Sequence, residues 1–178
     1  MNETRVSTEP LLKTPLNDWH CANGGRMVDF GGWDMPVQYE SGIFREHLST
    51  RRSGGLFDVS HMGRLRIQGK DTVTFLQHVL TNNAESLEPW QAQYTLIPNE
   101  NGGLLDDAYL YRPGDEYFLV VNASNREKDW DHLQCQAKSF EVSLEDKTPQ
   151  VAMIALQGPL SGKLLASLIE NGTMPETF

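Results

Sequence analysis

Hydrophobic and polar positions along the chain follow two periods, one typical of helices and one typical of strands. Residues 42–52 and 71–80 each collect apolar side chains on one side at helical spacing. Residues 63–67 alternate polar and apolar side chains instead, as a half-buried strand does. The chain is therefore predicted to mix helices and strands.

The full set of predicted elements alternates between the two kinds. Helices are predicted over residues 14–23, 42–52, 71–80, 125–137 and 158–169, and strands over residues 27–30, 63–67, 94–97, 104–111, 117–121, 140–144 and 151–156. This order is typical of an α+β fold with mainly antiparallel sheets and packed helices. Residues 31–36 combine two glycines and a proline with apolar side chains, so we predict an apolar loop that packs against the core or a ligand.

The two ends of the chain differ from the rest. Residues 1–13 are mainly polar and mixed in charge, and we predict a disordered leader there. The last predicted helix ends shortly before Phe178, with no closing element after it. We therefore expect residues 14–178 to be part of a longer protein.

Composition narrows the class of protein. The 178 residues are 39% hydrophobic and 22% charged, as in a globular domain that needs no disulfide or metal for stability. The net charge of −9 argues against a nucleic-acid partner. No apolar run reaches the ~18 residues of a membrane span, and no signal-peptide pattern opens the chain. Cys21 and Cys135 lie far apart in no redox spacing, so we expect a reducing, cytoplasmic location of the bacterial type.

The segment from Asn99 to Asp107 carries the least ordinary pattern, with a turn followed directly by two acids inside an apolar strand. Asn101-Gly102 predicts a two-residue hairpin turn, because both residues tolerate positive φ. Asp106 and Asp107 must then point to opposite faces of the strand. Two interpretations remain open from these residues alone. The acids are either exposed or bonded to turn amides, or one of them is a carboxylate held in a cleft for acid–base chemistry.

Other catalytic patterns fit the sequence poorly. Asp58-Val59-Ser60-His61 does not have the separated members of a serine triad, and there is no G-x-S-x-G elbow. The histidines have no zinc-binding spacing, and the glycine pairs have no phosphate-loop context. Two acids that point apart are also a poor Mg²⁺ or Ca²⁺ site. We therefore expect no metal.

Seven motifs in one order give the chain a specific resemblance. They are Thr14-Pro15-Leu16, residues 26–39 (RMVDFGGWDMPVQY), residues 55–63 (GLFDVSHMG), residues 99–107 (NENGGLLDD), Val120-Val121-Asn122-Ala123, Arg126-Glu127-Lys128-Asp129 and Leu156-Gln157-Gly158-Pro159. Over roughly residues 14–160, the chain resembles the aminomethyltransferase of the glycine cleavage system, the T-protein family.

The resemblance implies a fold and a reaction. Members of this family fold as three domains around a central folate site. They take an aminomethyl group from the lipoyl arm of the H-protein and transfer its one-carbon unit to tetrahydrofolate, which releases ammonia. The family's protein is about twice as long, so the resemblance implies that this chain is an N-terminal folate-binding region without the C-terminal barrel. We expect it to bind folate weakly and to be inactive alone.

The resemblance also implies site residues. The second acid of the family's G-G-x-x-D-D motif is the catalytic carboxylate, which corresponds to Asp107. The folate pocket of the family further uses residues that correspond to Met62, Tyr94 and Asn122. Asp106, on the opposite face, is expected to be a structural hydrogen-bond acceptor. The arginines and the glutamate that complete the family's pocket come from later in the chain.

Two alternatives share the same superfamily. One is another folate-dependent transferase or demethylase that acts on an O-, S- or N-methyl group. The other is a non-catalytic folate-binding paralogue, which typically lacks the acid motif and carries a cysteine motif. The presence of Asp107, and of no such motif around Cys21 or Cys135, favours the aminomethyltransferase.

Overall fold

The computed structural model describes residues 10–169 of the chain. The helices in this part are α1 (Asn17–Ala22), α2 (Ile43–Arg52), α3 (Thr72–Val79), α4 (Arg126–Ala137) and α5 (Ser161–Leu168). The strands are β1 (Met27–Phe30), β2 (Trp33–Pro36), β3 (Gly55–Asp58), β4 (Gly63–Gly69), β5 (Ala92–Pro98), β6 (Leu104–Tyr111), β7 (Tyr117–Val121), β8 (Val142–Asp146) and β9 (Ile154–Gln157). Each strand pair is antiparallel, which confirms the predicted α+β class.

A five-stranded sheet in the order β5-β6-β7-β4-β8 forms the centre of the fold. β6 and β7 pair with Ala108 opposite Val121, and β4 and β7 pair with Leu65 opposite Leu119. These alternating apolar positions face the same side of the sheet, where α3 contributes Phe75. The main cluster of fully buried side chains comprises Leu65, Ile67, Phe75, Leu76, Ile97, Leu110, Leu119, Val121 and Leu133.

Residues 31–36 are not the predicted loop. Gly31 and Gly32 form a two-residue turn with φ of +60° and +85°, and β2 follows directly to pair with β1. Only glycine adopts two successive positive φ angles without steric cost, and such turns match the twist of a hairpin. The apolar character noted in the sequence belongs to the strand, since Trp33 and Met35 are buried in β2.

The predicted leader ends earlier than residue 13. Leu12 forms a bridge to Trp33, with its amide bonded to the Gly32 carbonyl at 2.9 Å. Backbone pairing of this kind fixes the chain just before α1, so a disordered leader up to residue 13 is wrong at its C-terminal end. Residues 1–9 of that predicted leader lie outside the described residues, as do residues 170–178.

Helix α2 forms where the pattern predicted it, but it buries no residue. Phe44 and Ile43, expected on its inner side, are 77% and 57% exposed. The neighbouring two-stranded sheet of β3 and β9 also exposes Leu56, Phe57 and Ile154. Leu56 and Phe57 are adjacent in β3 and point to opposite sides, so this small sheet exposes apolar side chains on both of its sides. Within residues 10–169, no helix combines the length and hydropathy needed to cross a membrane.

Candidate functional site

The hairpin of β5 and β6 carries the acid pair, but its turn differs from the prediction. The connection is a five-residue loop, residues 99–103, and not a two-residue turn at Asn101-Gly102. The side-chain oxygen of Asn99 accepts hydrogen bonds from the amides of Asn101 at 3.0 Å and Gly103 at 2.9 Å. Asparagine closes loops in this way because its side chain imitates a backbone turn. The ladder is irregular between Ile97 and Pro98, which accommodates the extra residues.

Asp106 and Asp107 leave β6 on opposite faces, as the strand period predicts. Asp106 is half-buried on the side of the buried Ala108 and Leu110, whereas Asp107 is exposed on the side of Tyr109. The two carboxylates therefore have different surroundings although they are adjacent in sequence. Asp106 faces the packed side of the sheet, and Asp107 faces open surface.

Asn122 connects the two acids. It follows directly after β7, which pairs with β6 next to the acid positions. Its side-chain amide nitrogen donates to Oδ1 of Asp106 at 3.0 Å and to Oδ1 of Asp107 at 2.9 Å. A primary amide has two N–H groups, so it can satisfy both carboxylates at once. Asn122 thereby fixes the orientation of each acid relative to the other.

Asp106 is the hydrogen-bond acceptor that the sequence predicted. Its Oδ1 also accepts from the amide of Asn125 at 2.9 Å. Burial by itself would raise the pKa of Asp106, but the bonds from Asn122, Asp129 and Asn125 outweigh it and lower that pKa. Asp106 is therefore the ionised member of the buried cluster.

Asp129 on α4 is the second buried acid. It is 0% exposed, and neither of its carboxyl oxygens accepts an N–H or O–H hydrogen bond within residues 10–169. Burial and the nearby, negatively charged Asp106 raise the pKa of Asp129 to about 7. A carboxyl group with that pKa keeps its proton over most of the acidic range.

Tyr94 borders Asp107 on the exposed face. It lies opposite Tyr109 in the hairpin, with ring centroids 5.6 Å apart. Desolvation of its hydroxyl and a hydrogen bond to Asp107 raise the pKa of Tyr94. Tyr94 therefore stays a neutral donor beside Asp107, and the two rings, inclined at 65° to each other, add aromatic surface next to the carboxylate.

Met62 lies on the other side of Asn122. Both residues line a cleft of about 330 Å³ whose other walls are Phe30, Gly31, His61 and residues 123–125. The rings of His61 and Phe30 pack edge to face, with their centroids 5.5 Å apart. Burial lowers the pKa of His61, which favours its neutral form. Asp107 does not line this cleft, but its carboxylate accepts a hydrogen bond from Asn122, which does.

Buried Arg64 holds the loop that carries Met62. Its guanidinium donates to the carbonyl oxygens of Ser60 at 2.9 Å and Thr148 at 2.5 Å, and also to that of Met62. Ser60 is itself buried, and its hydroxyl is bonded to the backbone of Met153. Ser60 is therefore occupied in holding the fold together and is poorly placed to act as a nucleophile.

The structure brings the four predicted site residues near one another: Asn122 is bonded to Asp107 and lines a cleft with Met62, and Tyr94 lies near Asp107. Sequence reasoning assigned no role to Asn125, Lys128 and Asp129. Lys128 donates to the Leu105 carbonyl at 2.6 Å and to the Asn125 side chain at 3.1 Å. The available signal was that these residues fall in or beside the two motifs at 120–123 and 126–129. Across residues 10–169, no group of three or more His, Cys, Asp and Glu side chains is arranged to hold a metal ion.

Comparison with known proteins places this geometry in context. Residues 16–178 match the family model of the GCVT N-terminal domain. The chain is 51% identical over 163 residues to the aminomethyltransferase of Deinococcus deserti, which covers 91% of this chain and 45% of that protein. The aminomethyltransferase of Thermus thermophilus is 51% identical over 161 residues, or 90% of this chain and 46% of the relative. The chain thus spans about half the length of these curated relatives.

A solved structure agrees with these relatives. The crystal structure of glycine cleavage system aminomethyltransferase T from Bartonella henselae superposes with a TM-score of 0.82 at 36% identity. The match covers 88% of this chain and 43% of that protein. The chain therefore belongs to the glycine cleavage T-protein family of aminomethyltransferases and corresponds to the N-terminal domain of that family.

Proposed function

We propose that this chain forms the tetrahydrofolate-binding part of an aminomethyltransferase of the glycine cleavage system, with Asp107 as its catalytic carboxylate. The observation that carries the proposal is the position of Asn122. Its amide is bonded to both acids, and its side chain borders the cleft with Met62. One residue thereby joins the acid motif to a cleft with mixed apolar and polar walls.

The bonds that break and form in this reaction define the roles that the site residues must fill. The carbon of the aminomethyl group leaves both the lipoyl sulfur of the H-protein and its own nitrogen. Tetrahydrofolate would supply the two nitrogens that bind this carbon. Two protons from those nitrogens go to the departing ammonia and to the sulfur, so the reaction needs no oxidant. A carboxylate close to the reacting nitrogens can orient them and carry a proton between them.

The surroundings of Asp107 suit a carboxylate that orients the reacting nitrogens and carries a proton between them. It is exposed, so a ligand can reach it, and its Oδ1 is fixed by Asn122 at 2.9 Å. The neutral hydroxyl of Tyr94 lies near the same carboxylate. A carboxylate oriented from two sides loses little freedom when substrate binds. Asp106 is unsuited to the role, because its Oδ1 already accepts from two amides on the packed side of the sheet.

The cleft residues fit a flat polar heterocycle. Met62 and Phe30 offer polarizable and apolar surface on one wall. Asn122 offers an amide that can both donate and accept at the edge of a ring. Tyr94 and Tyr109 provide a further aromatic surface on the exposed side of the hairpin. We therefore assign Met62, Tyr94, Asp107 and Asn122 to folate binding.

We further propose that the lipoylated H-protein is the partner, that the reaction takes place in the cytoplasm, and that residues 14–178 form an incomplete folate-binding region. The greater length of the relatives supports the last point, and so do the exposed apolar side chains of α2, β3 and β9. A tetrahydrofolate titration of the chain and of the full-length gene product tests it. Markedly weaker binding by the chain is expected, whereas micromolar or tighter binding by the chain would contradict it.

The reaction is tested by ammonia release from aminomethylated H-protein by the full-length gene product, with and without tetrahydrofolate. Folate-dependent release of ammonia and formation of a methylene-folate are expected. The same assay with O-, S- and N-methylated donors is the matched control. Turnover of a methyl donor, with none of the aminomethylated H-protein, would replace the proposed function by the demethylase alternative.

A further inference from the structure

Three carboxyl oxygens of Asp106 and Asp129 are buried without a donor from residues 10–169, and Asn125 at the start of α4 brings the two acids close by its bond to Asp106. Asp129 is 0% exposed, and neither of its carboxyl oxygens has an N–H or O–H donor among the described residues. Oδ2 of Asp106 is also buried and also has no donor among the described residues. Unsatisfied buried carboxylate oxygens are strongly unfavourable, so this arrangement needs an explanation.

A shared proton explains it. If one of the two acids is protonated, its O–H donates to the other, and the contact becomes a strong charge-assisted hydrogen bond. Asp106 is the acceptor, because its Oδ1 already takes two amide N–H groups that stabilise negative charge. Asp129 has no such donors, so it is the acid that keeps the proton. The direction of the pKa shifts agrees, lower for Asp106 and about 7 for Asp129.

We propose that Asp129 is a positioning residue that, in its protonated form, donates a hydrogen bond to Asp106 and thereby fixes Asn122 against Asp107. The chain of contacts runs from α4 to β6 and on to the end of β7. Asp129 itself touches no reacting atom. The part of the inference that concerns catalysis rests on the proposed role of Asp107, and the part that concerns the proton does not.

The inference has a definite pH dependence. The charged groups that face Asp129 are Asp106 and Asp107 on β6 and Lys128 on its own helix. Because the pKa of Asp129 is raised in the folded state, its contribution to stability is full below about pH 4, where unfolded aspartate is also protonated. The contribution is lost progressively as the pH rises to about 7, where the folded protein releases the proton.

Carbon-13 NMR of the aspartate carboxyl groups tests the proton directly in the unmodified chain. The carboxyl carbon of Asp129 is expected to titrate with a midpoint close to 7, and that of Asp106 well below it. In an Asp106→Asn variant the Asp129 midpoint is expected to fall, because the negative neighbour is gone and an amide can donate to Asp129. A wild-type Asp129 that titrates like an ordinary exposed aspartate would overturn the proposal.

Substitutions test the positioning role. The amide of Asp129→Asn imitates the protonated acid at every pH, so this variant is expected to melt above wild type at about pH 8 and close to it at about pH 4. Asp131→Asn removes a charge from an exposed position of the same helix and is expected to show no such pH-dependent difference. If Asp129→Asn is destabilised at about pH 8 as much as Asp129→Ala, a donated bond from residue 129 is ruled out.

Activity of the full-length gene product separates positioning from stability. Asp129→Ala is expected to lose about 10- to 100-fold in kcat, with Asp129→Asn restoring most of it, as for other misplaced catalytic groups. Equal losses in the two variants would contradict the positioning role. Since the NMR and melting experiments use no folate, their outcome is independent of whether Asp107 is catalytic.

Discussion

The side-chain nitrogen of Asn122 lies 2.9 Å from Oδ1 of Asp107, and the same nitrogen lies 3.0 Å from Oδ1 of Asp106. A single amide therefore links an exposed acid on one face of β6 to a half-buried acid on the other. The alternation of a strand separates adjacent side chains, and Asn122 couples them again from the end of the next strand. The proposed chemistry depends on this link.

Replacement of Asn122 by aspartate tests the link with almost no change in shape. A third carboxylate would face Asp106 and Asp107, and both hydrogen bonds would become repulsive contacts. We expect a loss of about 1–3 kcal/mol in the free energy of unfolding, the usual effect of leaving buried polar groups unsatisfied. Urea denaturation measures it, with the exposed Ser124→Ala as control in the same turn. Stability equal to wild type would show that the amide bonds contribute nothing.

Arg64 anchors the loop that carries Met62, and lysine cannot replace it. A lysine has one ammonium group, whereas the guanidinium reaches the carbonyls of Ser60, Met62 and Thr148 together. We expect Arg64→Lys to lower the free energy of unfolding by about 2–3 kcal/mol, because buried carbonyls lose charged donors. The exposed Arg45→Lys is the control. A loss no larger than in Arg45→Lys would mean that the carbonyls find other donors.

Asp58 should contribute to the loss of folding stability at acidic pH. Its carboxylate accepts from the Ser60 amide at 2.9 Å and lies 3.1 Å from the His20 ring, which also contacts Tyr39. Burial would raise the pKa of Asp58, but bonds from Ser60, Thr14 and His20 lower it overall. A lowered pKa gives stability that is present above the unfolded value of about 4 and lost as pH falls through the folded value.

The prediction for Asp58→Asn therefore has two parts. Near neutral pH the variant should melt below wild type, because the carboxylate and its contacts are lost. Below about pH 4 the difference should shrink, since wild type loses the same contribution by protonation. Thermal melting as a function of pH measures both. A difference that is constant across the acid range would contradict the ionised, hydrogen-bonded state of Asp58.

Asn99 offers a matched pair of substitutions at the loop before the acids. Its side-chain oxygen only accepts, from the amides of Asn101 and Gly103. Aspartate keeps both bonds and alanine loses both. We expect Asn99→Ala to cost about 1 kcal/mol in the free energy of unfolding, and Asn99→Asp much less. Chemical denaturation of the two variants decides this, and equal losses would show that the side-chain oxygen does not hold the loop.

Local pattern predicted much of the fold, and its errors have physical causes. The strand period placed Asp106 and Asp107 on opposite faces, and helical spacing located α3 with Phe75 and Leu76 buried. Spacing alone could not tell that α2 leaves Phe44 exposed, because burial depends on what covers a face and not on the face itself. The predicted two-residue turn at Asn101-Gly102 is wrong because the side chain of Asn99 closes a longer loop over residues 99–103.

The candidate site was predictable only in part. The resemblance selected Met62, Tyr94, Asp107 and Asn122, and the structure places these four near one another. Asp129 lies in a polar helix whose sequence suggests an exposed face, whereas its 0% exposure is a property of the tertiary structure. A buried acid in a charged segment has no local sequence signature, so only the tertiary structure reveals it.

The catalytic role of Asp107 is tested most directly by Asp107→Asn in the full-length gene product, assayed by ammonia release from aminomethylated H-protein with tetrahydrofolate. Because Asp107 is exposed, folding should be unchanged, and Asp115→Asn, also exposed, is the control. We predict a loss of about 10²- to 10⁴-fold in kcat, the usual contribution of a positioned acid–base group. Undiminished turnover by a correctly folded Asp107→Asn variant would contradict the account.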